Sequence, residues 1–128
     1  MKDINLLLNV KNKKLFLILV LFFVWNSNSF AEQLFCKIEK AYKCNSGDCV
    51  EFNSETNLSL NTDTNIYERR DRKGSDEYNA NVYKSGSYII AEIQGGTLLK
   101  IEVPSLQFVE VASLGLNTYN NFGKCVIK

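Results

Sequence analysis

Apolar and polar residues alternate one for one along most of residues 34–122, and turn-forming clusters interrupt them every 8–12 residues. Successive side chains of a strand point to opposite faces, so a period of two builds half-buried strands rather than amphipathic helices. Leu34, Cys36 and Ile38 fall on one face, with Lys37 and Glu39 on the other. Val50, Glu51 and Phe52 repeat the alternation briefly, and residues 64–70 (TNIYERR) read as a strand ending in a turn at Asp71, Arg72, Lys73 and Gly74. Tyr78, Ala80 and Val82 share a face. After a turn at Lys84, Ser85 and Gly86, residues 87–94 return with Ile89, Ala91 and Ile93 aligned. Gly95 and Gly96 form the clearest two-residue hairpin signal, answered by residues 97–103 with Leu99, Ile101 and Val103 inward. Pro104, the only proline, closes that strand, and residues 106–113 and 117–122 complete the pattern. The expected fold is all-β: a small antiparallel meander closed into a barrel or folded into a sandwich.

Residues 15–25 (LFLILVLFFVW) are an uninterrupted apolar run of 11, preceded by Lys11, Lys13 and Lys14. A bilayer-spanning helix needs about 20 such residues, whereas the apolar core of a signal peptide takes roughly 7–15. Small residues at Ser29 and Ala31 put the cut after Ala31. The expected organisation is a cleaved signal peptide over residues 1–31 and a single small β domain over residues 32–128, with no membrane span once the leader is gone. Gln33, Leu34 and Phe35 before Cys36 lack the small residue that a lipidated cysteine requires. Abundant Asn, Lys and Ile suit a low-GC bacterial genome, which makes the destination the periplasm or the medium. The remaining 97 residues have enough core for one domain and too little for two.

All four cysteines (Cys36, Cys44, Cys49, Cys125) follow the expected cut. An even number in a small exported domain reads as a disulfide framework. Cys44 and Cys49 flank Asn45, Ser46, Gly47 and Asp48, so turn geometry favours Cys44–Cys49 together with Cys36–Cys125. The alternative, Cys36–Cys49 with Cys44–Cys125, scores similarly by loop entropy; the favoured pairing is worth about 2 kcal/mol for its short loop and about 4.5 for its long one. Redox pairs favour a C-x-x-C spacing at a helix start, unlike the C-x4-C found here within strand. A zinc site would need thiolates kept reduced in an oxidising place.

Composition narrows the chemistry. The chain has no histidine, which excludes Ser–His–Asp triads, Cys–His nucleophiles and histidine metal sites. Removing Lys2, Lys11, Lys13, Lys14 and Asp3 with the leader leaves 11 basic and 13 acidic groups, a net of −2. Nucleic-acid binding through phosphates, which needs a basic surface, is not expected. Neither are a metal, a cofactor or a catalytic residue. Glu68, Glu77, Glu92, Glu102 and Glu110 lie in strands, but so small a barrel has little room for a glycoside-cleaving pair. Glu92, Glu102 and Lys100 read as a surface salt-bridge ladder. Two groups stand as binding candidates. Arg69, Arg70 and Arg72, with Lys73, form a basic cluster interleaved with Glu68, Asp71, Asp76 and Glu77; it reads as a solvated turn, or functionally as a site for an anionic ligand. Tyr83, Ser85 and Tyr88 surround one turn, with the two tyrosines placed for a cross-strand pair.

Residues 67–78 (YERRDRKGSDEY) and 108–125 (FVEVASLGLNTYNNFGKC) resemble parts of uncharacterised small secreted proteins of alphaproteobacteria. That group combines cysteines near the mature start with a terminal Gly-x-Cys, matched here by Gly123, Lys124 and Cys125. Some members carry a further cysteine pair in the hairpin, where this chain has Arg70 and Ser75. The resemblance implies export and disulfides but no activity. A weaker similarity, through Ser85, Gly86, Ser87, Tyr88 and a carboxy-terminal cysteine, is to small periplasmic lysozyme-inhibitor barrels. The expected function is therefore binding or structural support in the cell envelope, through an unknown protein or envelope ligand. The alternative is inhibition of an envelope hydrolase, and a small envelope enzyme is a third reading. Intact mass of the exported protein is expected to start at Glu32 and to gain four alkyl groups only after reduction; a full-length species with freely alkylated thiols would refute export.

Overall fold

The computed structural model describes residues 32–128; the signal peptide expected over residues 1–31 lies outside them. Nine strands follow in order: β1 (Gln33–Cys44), β2 (Cys49–Phe52), β3 (Asn57–Asn61), β4 (Ile66–Asp71), β5 (Gly74–Ser85), β6 (Tyr88–Ile93), β7 (Thr97–Glu102), β8 (Gln107–Leu114) and β9 (Asn117–Ile127). All pairings are antiparallel between neighbours in the order β2-β1-β3-β4-β5-β6-β7-β8-β9, and β1 also pairs with β9. Eight strands thus close into a barrel, and β2 forms a short ribbon with the last residues of β1. Of the two expected architectures, the barrel is the one formed. No helix among the described residues is long and apolar enough to cross a membrane.

Alternation fills the interior. Leu34, Leu58, Leu60, Ile89, Ala91, Leu99, Ile101 and Phe108 are buried, while their strand neighbours face out. Fully burying an aliphatic side chain of this size stabilises by roughly 1.5–3 kcal/mol. Closure removes the free sheet edges that a meander would expose to other chains. Both favoured disulfides form, Cys36–Cys125 across 89 residues of chain and Cys44–Cys49 across five. Each joins register partners, the first on β1 and β9, the second on β1 and β2. All four β2 residues are exposed, so that ribbon lacks a core of its own and depends on the short disulfide and its ladder.

Closure requires a bend in β1. The register runs Ile38↔Gly123, then Lys40↔Phe122, leaving Glu39 as the extra residue of a β-bulge. The bulge changes the phase of β1: Ala41 turns inward where unbroken alternation would have buried Lys40. It also brings the β1 backbone against Gly123, where a Cβ would overlap the Lys37 carbonyl oxygen and lie 2.9 Å from the Phe108 ring.

Three expectations need correction. The Gly95–Gly96 hairpin has a three-residue loop, because Ile93 pairs with Thr97 and Gln94 joins the turn; both glycines have positive φ. The two-residue Gly-X turns are at Gly86-Ser87 and Gly115-Leu116, where only the glycine has positive φ, as in a type II′ turn. Val103, the next position of inward parity, lies beyond the end of β7 and is exposed, because the chain already leaves the sheet for the turn at Pro104. The strands at 64–70 and 117–122 instead span Ile66–Asp71 and Asn117–Ile127.

Gly123→Ala is expected to destabilise the oxidised protein by about 1–3 kcal/mol, since the obstructing atom is backbone and the core must shift. Urea unfolding without reductant measures this; an unchanged midpoint would mean that the seam is looser than described.

Candidate functional site

The residues expected to form one basic cluster are separated by strand parity. Arg69 points into the barrel and Arg70 points out. Arg72, at the β4–β5 tip, donates to Glu55 at 2.8 Å. Arg70 pairs with Glu68 at 2.9 Å and stands opposite Ser75 in the register. Arg70 and Arg72 therefore belong to exposed ion pairs of small energetic weight.

Arg69 belongs to a different environment. Its Nη1 donates to Glu110 Oε1 at 2.6 Å and lies 3.0 Å from the Tyr67 hydroxyl. The Tyr67 hydroxyl donates to Glu110 Oε2, and Asn121 Nδ2 donates to Glu110 Oε1 at 2.8 Å. Glu110 is fully buried, whereas the Arg69 side chain keeps 30 % of its surface. In an eight-stranded barrel β4 and β8 are four strands apart in either direction, so these contacts cross the interior from wall to wall.

Burial sets the protonation of this group. It pushes the Tyr67 hydroxyl far above the ordinary phenol range; the Glu110 charge adds to the rise and Arg69 opposes it. Burial alone would lower the Arg69 pKa, but the Glu110 charge, followed by Tyr67, outweighs it and the net direction is up. The guanidinium is thus fixed as a cation and Tyr67 as a donor.

Beside this cluster a cavity of about 310 Å³ opens at the barrel end that carries the β6–β7 and β8–β9 turns. Arg69, Tyr78, Thr97, Ala112, Tyr119 and Asn121 line it. The Tyr78 and Tyr67 rings lie 6.2 Å apart, and Tyr119 meets Phe52 of the appended ribbon edge to face at 6.1 Å. Asn121 Oδ1 is a buried acceptor with no hydrogen-bond partner. Such an atom costs about 1–3 kcal/mol if left unmatched, and its burial closes it off from the open space of the cavity.

The other candidates lie at the opposite end. Tyr83 stands opposite Ile90 and Tyr88 opposite Ser85, so the two tyrosines are not register partners. Tyr83 donates to Glu92 at 2.8 Å, and this bond raises its pKa. Lys100 lies 4.0 Å from the centre of the Tyr88 ring, while Glu102 accepts from Ser105. These contacts take the place of the expected Glu92–Lys100–Glu102 ladder. Ser85, Gly86 and Ser87 are exposed at the turn.

Sequence reasoning missed Glu110 and Asn121 as interior residues. Phe108, Glu110 and Ala112 share one parity, but Val109 and Val111 occupy the other. Alternation alone could not decide which face of β8 is buried. No known protein family, curated protein or solved structure matches this chain.

Tyr67 generates a pH prediction. In the unfolded chain it ionises near 10.0, in the folded barrel only well above that. The folded state keeps a proton that the unfolded chain releases, so the stability carried by Tyr67 is whole below pH 10 and declines as pH rises beyond it. An absorbance titration is expected to leave one tyrosine silent until alkaline unfolding. Ionisation of all six in the folded protein near their ordinary value would contradict the buried cluster.

Proposed function

We propose that this chain is an exported binding domain of the bacterial cell envelope, and that its ligand enters the open barrel end beside Arg69 and Asn121. The observation that carries this reading is a cavity at the open barrel end, edged by the Arg69 guanidinium and faced by the Tyr78 and Tyr119 rings. The two disulfides support an oxidising destination. A volume of about 310 Å³ is at the small end of ligand sites. Because Glu110 neutralises Arg69, the pocket suits an uncharged polar molecule with a face that packs on Tyr78 and Tyr119.

Binding is favoured over turnover by the way the acid and base groups are engaged. Both Glu110 oxygens accept hydrogen bonds, from three donors in all, and Tyr67 is held protonated. No nucleophile or metal is needed for this role.

The hydrolase-inhibitor alternative uses the other barrel end. In its favour, Gly86 and Ser87 form an exposed two-residue turn beside exposed Ser85, anchored where the Ser87 carbonyl accepts from the Val103 N–H at 2.8 Å.

Titration of the oxidised protein with N-acetylglucosamine, glucose or acetamide at millimolar concentration, followed by amide chemical shifts, is expected to move Thr97, Ala112 and Asn121. Ala112→Trp, which fills the cavity without removing the Arg69–Glu110 pair, is expected to abolish the response. Shifts at these positions with none of the three probes would overturn the pocket reading. Stoichiometric inhibition of lysozyme, lost on altering Ser85, would instead favour the inhibitor.

A further inference from the structure

The outer face of β9, β1, β3 and β4 carries a second, separate feature. Register places Lys124, Lys37, Asn57 and Arg70 side by side on four adjacent strands. The next outward row is Val126, Phe35, Ser59 and Glu68. With strands about 4.8 Å apart, Lys124 and Lys37 are immediate neighbours, and Arg70 lies about 10 Å beyond Lys37. The two rows line a groove of about 920 Å³, with Lys128 at its edge 5.1 Å from the Phe35 ring.

Two like charges directly opposite on neighbouring strands destabilise a sheet. Neither Lys37 nor Lys124 forms an ion pair among the described residues. Among the described residues Glu68 is the one side-chain carboxylate in the groove lining, and it is engaged by Arg70. A domain with net charge −2 over residues 32–128 thus gathers on one concave face three lysines that form no ion pair among the described residues, beside an arginine paired with Glu68. The fold derives nothing from that arrangement, but a bound anion would.

We infer that this groove binds a linear acidic glycan, with carboxylate or sulfate groups on the adjacent Lys124 and Lys37 and a sugar ring against Phe35 and Val126. Phe35 and Val126 keep 39 % and 53 % of their surface, an apolar strip that suits the C–H face of a sugar. A concave groove follows a chain better than a planar bilayer. An acidic peptide is less well matched, because the closed barrel offers no strand edge along this face for its backbone. The site is independent of the barrel-mouth cavity.

Calorimetric titration of the oxidised protein with a hexamer of galacturonic acid tests this. Binding is expected, weakening as salt is added, with none to the uncharged maltohexaose. Lys37→Glu provides the decisive variant. It converts a repulsive pair into an opposite-charge pair with Lys124, so it is expected to raise the melting temperature while lowering affinity at least tenfold. Loss of binding with a preserved or higher melting temperature supports a functional row. Undiminished binding by Lys37→Glu overturns it. So does absence of galacturonate binding at low salt. Tighter binding of polyglutamate, or of vesicles containing phosphatidylglycerol, would overturn the glycan assignment.

Discussion

The barrel is organised around one buried carboxylate. Glu110 leaves β8 and meets Tyr67 and Arg69 on the facing wall and Asn121 on the adjacent strand. Taking a carboxylate out of water costs several kcal/mol, which attraction and hydrogen bonds offset only when nearly every lone pair is used. Here three donors converge on it. Losing one partner of a fully buried pair costs about 3–5 kcal/mol; the exposed part of Arg69 reduces that figure for this pair. Apolar residues of similar volume would fill the space without that hazard. The polar lining of the open barrel end therefore comes from the same residues that carry this cost.

Closure depends on a second set of constraints, at the seam. β1 and β9 come from opposite ends of the domain, so their pairing carries the largest loop-closure entropy in the fold. Cys36–Cys125 removes much of that cost by confining the unfolded chain, to the extent of about 4.5 kcal/mol in the entropic account. The bulge at Glu39 supplies the bend, and Gly123 supplies the clearance opposite it. Cys125 and Gly123 share the inward face of β9, two residues apart, which gives the terminal Gly-x-Cys a physical reason independent of any relative.

Much of this was legible in the sequence, because side-chain period and turn chemistry are local. The all-β class, the Cys44–Cys49 bond and, Val103 apart, the inward sets on β6 and β7 follow from residues close together in the chain. What escaped were properties that arise only between strands. Arg69 and Arg70 are neighbours in sequence but face opposite sides of the wall. Lys37 and Lys124 are 87 positions apart yet stand opposite each other. Glu110 escaped because both faces of β8 carry apolar residues. The bulge at Glu39 escaped because its signal is a phase change, visible only as Lys40 and Ala41 exchanging sides.

The two binding features are cut from the same strands by parity. Arg69, Leu58, Cys36 and Cys125 form one register row, facing in; Arg70, Asn57, Lys37 and Lys124 form the next, facing out. A slip of one residue in any of these pairings would reverse the faces, placing lysines in the core and aliphatics in the groove. Burial of Leu58 opposes such a slip energetically, and the Cys36–Cys125 bond opposes it covalently. That disulfide lies in the inward row, one residue along β1 from Lys37 and one along β9 from Lys124. It therefore does more than shorten the unfolded chain. By fixing the phase of β9 against β1, it holds Lys37 and Lys124 together on the outer groove.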